Sequence, residues 1–462
     1  MTITFRWAAE LPQYMNDVPE IVRAYAPYIV LKPDATEIFS TEIRQTESDF
    51  FVKITAANRV FEASFPIQYA QGLEYKKLTK RFVKMQLYAF CRNLTGVCLP
   101  YGSLTGVRPT KLYYELIGKN GNPKQYLEDT FCVSPDRAEL IEQVVNNQKG
   151  IYSREPDNVD IFINIPFCPT RCKYCSFISN ELSRVRKQLP DYIKTVKAEL
   201  EEITKKIQNE SLNLRSIYVG GGTPTSLEAE ELADLLEPVA CRNYGVEFTV
   251  EAGRPDSITR AKLDTLAALG VTRISINPQT YKSETLVALG RAHTPEQIFE
   301  AYTLARNYDF DINMDLIAGL PNETFDDFAR SLEKTLTLRP ENITVHTLSI
   351  KRGAVFNNDG LQKQVGGEIK ECVDYAREQL KKAGYGPYYM YRQKNMADNL
   401  ENVGYCLFGK QCIYNIDYME ETNTILSAGA GAMSKFVYPQ QNRIERFPNP
   451  KGLHDYLAKK CK

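Results

Sequence analysis

Between about residues 158 and 350, short apolar runs alternate with longer amphipathic ones. The short runs are Val159–Ile165, Ser216–Val219, Glu247–Val250, Arg273–Ile276, Ile312–Ile317 and Ile343–Leu348. They are rich in β-branched residues and bounded by Gly, Pro or polar positions, which predicts strands. The longer runs, Leu189–Ile207, Leu227–Val239, Ile258–Leu269, Pro295–Ala305 and Phe325–Leu336, repeat their apolar positions near 3.6 residues and predict helices. Repeated strand–helix units imply a parallel sheet with right-handed crossovers, most simply a partial (β/α)6 barrel. In such barrels, functional side chains gather at the C-terminal ends of the strands.

The flanking regions read differently. Within residues 1–150, DFFVKITAANRVFEASFPI alternates around a turn-like AAN and predicts a hairpin, and EYKKLTKRFVKMQLYAFCRNL predicts a helix. This is an N-terminal α+β domain, and it is expected to act as a lid for the substrate. The polar stretch YSREPDNVD reads as a linker into the barrel of residues 158–350. Residues 351–462 read as a C-terminal mixed α/β domain with a helix near Glu368–Ala383. The fold class is α/β, a partial (β/α)6 barrel flanked by an N-terminal α+β domain and a C-terminal mixed α/β domain.

Composition narrows the function. Lys plus Arg and Asp plus Glu are equal at 57 each, so no broad positive field draws the chain to nucleic acid. No apolar run approaches the roughly 18 residues of a membrane span. The start, MTITFRWAAELPQYMND, lacks the basic and apolar regions of a secretory signal. Eleven cysteines, an odd number with most of them scattered, fit a reducing compartment, and the expectation is the cytoplasm.

Three of those cysteines are not scattered. IPFCPTRCKYCSF places Cys168, Cys172 and Cys175 in C-x3-C-x2-C spacing directly after the first predicted strand. Three thiolates from one short loop suit three irons of a 4Fe–4S cluster and leave the fourth iron open to a small ligand. An unsaturated cluster can do chemistry where a four-cysteine cluster mostly carries electrons. The plainer reading, buried thiols that happen to lie together, does not account for the spacing.

This segment resembles the signature of radical S-adenosylmethionine (SAM) enzymes. YVGGGTPTSL, TVEAGRPDSI, SINPQT and NMDLIAGLP are similar to the branch of oxygen-independent coproporphyrinogen III oxidases, and the resemblance is strongest to its HemZ-type members. It extends to YGSLTGVRPTKL, YRQKNMADNLENVGY and SAGAGAMSKF, and is weakest over the first 70 residues. The resemblance implies the same partial barrel, a 4Fe–4S cluster on Cys168, Cys172 and Cys175, and SAM on the open iron. It carries SAM contacts onto Gly221, Gly222 and Thr223 of the run Gly220–Pro224, and onto Gln279 and Arg291. Arg291 would form a charge-assisted fork with the methionine carboxylate, and Asp315 would bind ribose. Glu251, at a strand end, suits the ribose hydroxyls or the amino group, with an ion pair to Arg254 as the plainer alternative. The implied reaction is oxidative decarboxylation of coproporphyrinogen III to protoporphyrinogen IX. The implied partners are a tetrapyrrole substrate and a flavodoxin- or ferredoxin-type electron donor. A heme-binding chaperone of the same superfamily and another radical SAM reaction on a tetrapyrrole are the alternatives. The chaperone branch carries a His-Asn-x-x-Tyr-Trp run that this chain lacks. Two positions depart from the oxidase subgroup: Phe162 stands where a tyrosine is usual, and Phe177 where a fourth cysteine is usual.

The remaining chemistry-bearing residues have plainer readings. Tyr174 and Phe177 suit packing around the cluster. Cys406 and Cys412 read as isolated thiols, since no histidine completes a zinc pattern. His293 and His346 follow predicted strands, where a structural imidazole competes with a substrate contact, and His454 lies far along the chain. The aromatic run Tyr385–Met396 suits either a tyrosine-rich strand or a porphyrin-stacking surface. Arg392, Lys394 and Arg108 are candidate partners for substrate propionates.

Overall fold

In the computed structural model, which describes residues 2–26, 28–67, 72–106, 108–118, 121–175, 179–240, 245–349, 368–393, 399–441 and 443–460, the alternation of the first region becomes a five-stranded sheet. Its strands are β1 (Ile3–Ala9), β2 (Ile29–Leu31), β3 (Ile38–Gln45), β4 (Asp49–Ala56) and β5 (Arg59–Pro66), in the order β2-β1-β3-β4-β5. The expected hairpin is β4–β5, closed where Ala56 pairs with Arg59. The two turn residues, Ala57 and Asn58, both have positive φ, the geometry that matches strand twist in two-residue hairpin loops. The expected helix is α1 (Gly72–Thr95), which buries Phe82, Val83, Leu87, Phe90 and Cys91. Phe82 meets Phe50 edge-on and Phe90 meets Phe39 likewise, so one apolar face of the helix covers one face of the sheet. Each such side chain contributes about 1.5–3 kcal/mol by leaving water. Met1–Glu142 and Arg392–Leu400 make up this unit.

The second unit comprises Gln143–Tyr391 and Glu401–Lys462. Its strands are β6 (Asn158–Ile165), β7 (Asn213–Gly221), β8 (Glu247–Val250), β9 (Arg273–Ser275), β10 (Asp311–Ala318) and β11 (Asn342–Thr347), followed by β12 (Gly386–Tyr391), β13 (Asn402–Cys406), β14 (Thr424–Ala428), β15 (Met433–Tyr438) and β16 (Arg443–Pro448). β6 to β11 lie side by side in chain order and are parallel throughout. Every predicted barrel strand is present, with ends moved by only a few residues. Between them run α2 (Leu189–Asn209), α3 (Ala229–Ala240), α4 (Arg260–Ala268), α5 (Pro295–Ala305) and α6 (Phe325–Leu338). Thr294 and Thr324 open the last two with reciprocal capping boxes, which satisfy amides the helix itself cannot. β6 is buried along nearly its whole length, as a parallel strand covered on both faces requires.

The region expected as a third domain joins this same sheet. The full order is β12-β13-β11-β10-β9-β8-β7-β6-β14-β15-β16, so residues after 351 extend both edges. β13 runs antiparallel to β11, and β14 runs parallel to β6. Without them, β6 and β11 would expose rows of unpaired backbone groups. Periodicity predicts strands there but cannot say whose edge they cover. Among the described residues the outermost strands, β12 and β16, do not pair with each other, so the sheet is open. The helix near residue 368 is α7 (Glu368–Lys382).

A further helix, α8 (Ile413–Glu420), carries a ring to the sheet. The carboxylate of Glu247 accepts from the Cys412 thiol at 3.2 Å and from the amides of Ile413 and Tyr414 at 3.0 and 3.2 Å. That anchors the positive end of the helix and sets Tyr414 against Tyr218, with ring centroids 4.3 Å apart. No helix among the described residues is long and apolar enough to cross a membrane.

Candidate active site at the strand ends

The cysteine loop begins where β6 stops. Phe167–Cys168 pairs with Asn180–Glu181 in a two-residue parallel ladder that closes the base of the loop. The Cys175 amide donates to the Cys172 carbonyl at 3.1 Å, and the Lys173 amide donates to Leu289 O at 3.0 Å. Arg254 donates to the Thr170 hydroxyl at 2.6 Å. The loop is thus pinned from the ends of several strands. All three thiols are half-buried. Burial pushes the Cys168 thiol up, opposed by hydrogen bonds from Thr223, whose hydroxyl lies 3.6 Å away, and from Ser179.

Three thiolates on one pinned loop are the donor set that a 4Fe–4S cubane takes, one sulfur per iron. Arg291 Nε, buried without a hydrogen-bond partner, lies beside this loop. Phe177 lies outside the described residues. Tyr174 packs against the apolar group of Leu289, Ile317 and Leu320, as expected of a packing residue, and its hydroxyl also accepts from Arg291 at 3.2 Å.

The glycine run is built for close approach to that loop. The Gly222 amide donates to Ile165 O at 2.8 Å and the Thr223 amide to Phe167 O at 2.7 Å. A Cβ on Gly222 would lie 2.4 Å from Phe167 O, and one on Gly221, whose φ is +107°, would lie 1.9 Å from Asn164 Oδ1. These glycines let β7 run directly beside the chain entering the cysteines.

The predicted polar residues converge on the same end of the sheet. Glu251, just past β8, accepts from the Tyr218 hydroxyl at 2.6 Å. It does not pair with Arg254, which instead forks onto Asp256. Asp315 on β10 accepts from Asn313 Nδ2 at 2.8 Å, and its other oxygen is 3.5 Å from His346 Nε2. Gln279 sits at φ +67°, rare for a non-glycine residue, and is held there by backbone bonds with Asp315 and Ile317. Such strain persists only where the surroundings over-determine it. Arg291 is buried, and donates to the carbonyls of Gly253 and Asn277 at 3.1 and 2.6 Å as well as to Tyr174. It therefore ties two strand ends to the cysteine loop.

The electrostatics separate the two carboxyls. Burial pushes Glu251 up to about 7; the Tyr218 hydrogen bond opposes this and the nearby Asp315 charge adds to it. Asp315 feels burial as well, but hydrogen bonding and charge from His346, with Asn313 and Thr344, hold it below its ordinary value. Near neutrality one carboxyl is partly protonated and the other ionised. The sign for Glu251 is testable by stability. Below pH about 4.5, folded and unfolded chains are both protonated there. Between 4.5 and about 7 only the unfolded chain ionises, so this group lowers stability as pH rises and its effect levels off above that window. Glu251→Gln is expected to gain stability over the parent between pH 5 and pH 8, measured by chemical unfolding of the cluster-free protein. An equal difference at both pH values would contradict the assignment.

His293 is buried, with Nδ1 3.8 Å from Asp256 Oδ1, and burial together with the Arg291 charge pushes it down to about 3, so it is a neutral structural imidazole. His454 is exposed. Cys406 and Cys412 are both buried and belong to the packed core. Arg392 donates to Leu104 O and Asn399 O and lies over the Tyr101 ring, so its guanidinium is engaged within its own unit. Lys394 lies outside the described residues. Tyr385, Tyr388 and Tyr389 are buried, which removes most of the proposed stacking surface. Phe162 stacks with Tyr218 and Tyr414. The segment SAGAGAMSKF turns back beside Asn164 at the end of β6; a Cβ on Gly429 would lie 2.4 Å from Asn164 O. Sequence reasoning missed Tyr218 and the arrangement around His346, because both act across strands.

Comparison with known proteins bears on this site. The profile of the Radical SAM superfamily matches residues 163–335, the stretch containing the cysteine loop and most of the residues above. The oxygen-independent coproporphyrinogen-III oxidase-like protein HemZ of Bacillus subtilis is 41% identical over 376 residues, covering 78% of this chain and 75% of that protein. The chain belongs to the radical SAM superfamily. Within it, the chain is a member of the HemZ-type, oxygen-independent coproporphyrinogen-III oxidase-like proteins. The heme chaperone HemW of Haemophilus influenzae is 29% identical over 308 residues, 65% of this chain and 76% of that protein. Among solved structures, coproporphyrinogen III oxidase (HemN) from Escherichia coli superposes with a TM-score of 0.52 at 20% identity, over 68% of this chain and 71% of that one, a likeness of fold. Membership of this radical SAM family implies a 4Fe–4S cluster and SAM as cofactors, and the three loop thiols are suited to hold the cluster.

Proposed function

We propose that this protein converts coproporphyrinogen III to protoporphyrinogen IX without oxygen, by oxidative decarboxylation of two propionates. The observation that supports it most is the 41% identity to an oxidase-like relative across three quarters of that protein. When bound, cluster and SAM supply a one-electron route to hydrogen abstraction from a propionate side chain. In this reading Cys168, Cys172 and Cys175 hold the cluster, and Gly221, Gly222, Thr223, Glu251, Gln279, Arg291 and Asp315 line the SAM site. Arg291 fixes the loop against the ends of β8 and β9, and its buried Nε is left without a hydrogen-bond partner. Asp315, ionised, accepts hydrogen bonds from ribose hydroxyls. Glu251, poised near neutrality, either accepts or donates one. A reduced flavodoxin- or ferredoxin-type protein is the electron donor in this reading, and the cytoplasm its setting.

The HemW relatives favour a second reading, heme binding and transfer. Against it, His293 is buried and His346 is engaged with Asp315 and Tyr391, leaving only His454 exposed among the three histidines. The test is an anaerobic assay with reductant, SAM and coproporphyrinogen III. Vinyl product appearing with 5′-deoxyadenosine is expected. SAM cleavage without vinyl product points to another tetrapyrrole reaction. Stoichiometric heme uptake and delivery without SAM cleavage points to the chaperone.

A further inference from the structure

Two tyrosines of the added strand β12 reach across the sheet to Asp315. Tyr389 and Tyr391 are two residues apart, so they share a face, and their rings stack at 6.5 Å and 12°. Thr344 and His346 stand two apart on β11, and Asn313 and Asp315 two apart on β10. These pairs form two parallel hydrogen-bond chains. In one, the Tyr389 hydroxyl is 3.3 Å from Thr344 Oγ1, which donates to Asn313 Oδ1 at 3.1 Å, and Asn313 Nδ2 donates to Asp315 Oδ1 at 2.8 Å. In the other, the Tyr391 hydroxyl is 3.4 Å from His346 Nδ1, and Nε2 is 3.5 Å from Asp315 Oδ2.

β13 lies between β12 and β11, and would block the first chain with almost any side chain. Gly404 is the residue opposite both Thr344 and Tyr389. A Cβ there would come within 1.8 Å of Tyr389 Cε1, so the glycine opens the gap that the ring crosses.

The direction of the second chain follows from charge. An ionised Asp315 only accepts, so Nε2 is the side of the imidazole that donates to it, while the Tyr391 hydroxyl meets the other ring nitrogen. Contacts at 3.4–3.5 Å are long, and hydrogen bonds at such sites commonly tighten when the ligand binds. A histidine holding a ligating carboxylate, itself held by a phenol, has the logic of outer partners that orient ligands at metal sites.

We propose that His346, held by Tyr391, is a positioning residue that orients the Asp315 carboxylate toward the ribose hydroxyls of SAM. This rests on reading Asp315 as a ribose contact. The region after residue 351 thereby contributes to SAM binding through Tyr391.

The test is equilibrium SAM binding to anaerobically reconstituted protein, with iron content measured in parallel. His346→Ala is expected to weaken binding about 10-fold with iron unchanged. His346→Gln is expected to restore most of it, because the amide donates to Asp315 with one end and accepts from Tyr391 with the other. Tyr391→Phe should fall between, and Asp315→Ala with His346→Ala should bind no worse than Asp315→Ala alone. If His346→Ala binds SAM as the parent does while Asp315→Ala does not, the positioning role is wrong and the ribose contact stands. If Asp315→Ala leaves binding unchanged, the ribose reading itself is wrong. Equal impairment or iron loss in both His346 variants would mean that the imidazole merely supports the fold, which also overturns the proposal.

Discussion

Replacing Cys168, Cys172 or Cys175 by Ala, one at a time, is expected to abolish cluster retention and to lower SAM cleavage by more than about 100-fold, beyond what losing an outer partner of a metal ligand costs. The reason lies in the loop. Its base is closed by the Phe167–Cys168 ladder, and its tip is held by Leu289, Arg254 and the Cys172–Cys175 turn. Cys406 and Cys412 lie in the packed core beside α8, so neither is free to substitute. Iron and sulfide analysis after anaerobic reconstitution checks the first effect, and 5′-deoxyadenosine release checks the second. Cys406→Ala serves as the control and should keep its iron. A single-cysteine variant that held a full complement of iron would remove the basis for the site.

The second large effect is expected from one methyl group. In Gly222→Ala the new Cβ would meet Phe167 O at 2.4 Å, Phe167 N at 2.8 Å and Ile165 O at 2.9 Å. All three are backbone atoms just before Cys168, and none is the end of a flexible side chain that could swing aside. Relief requires β7 and the cysteine loop to separate. The expected cost is about 1–3 kcal/mol of stability, as for other overpacked sites. Because the displaced segment carries a cluster ligand, SAM cleavage should fall about 100-fold, as for other small misplacements of reacting groups. Gly106→Ala is the control, since nothing lies within 4 Å of a Cβ there and its φ is unremarkable. Thermal unfolding and SAM-cleavage rates of both variants decide the matter; parent-like behaviour of Gly222→Ala would show that the loop is not held by this contact.

Most of the barrel was legible because its strands are buried on both faces. A fully buried strand such as NVDIFINI has little freedom in composition, so its apolar run marks its position closely. The cysteine triplet was legible for a similar reason: its geometry is local to one short loop. The glycine run was recognisable as a motif, but its spatial reason was not, since it depends on Phe167 lying alongside. Tyr218 carried no signal as a partner of Glu251, since the two are 33 residues apart. The run Tyr385–Met396 suited either a tyrosine-rich strand or a stacking surface, and Tyr385, Tyr388 and Tyr389 proved to be buried.

What the linear order of residues determined by itself was the repeating strand and helix pattern, the three-thiol loop, and which polar residues end each strand. These depend on periodicity and on neighbours a few positions apart. Only the tertiary structure decided that the last hundred residues complete both edges of the barrel sheet, that Arg291 ties strand ends to the cysteine loop, and that Tyr391 reaches Asp315 through His346. Those outcomes depend on which strands pair and in what register, and register is fixed by burial and backbone hydrogen bonding across the whole sheet.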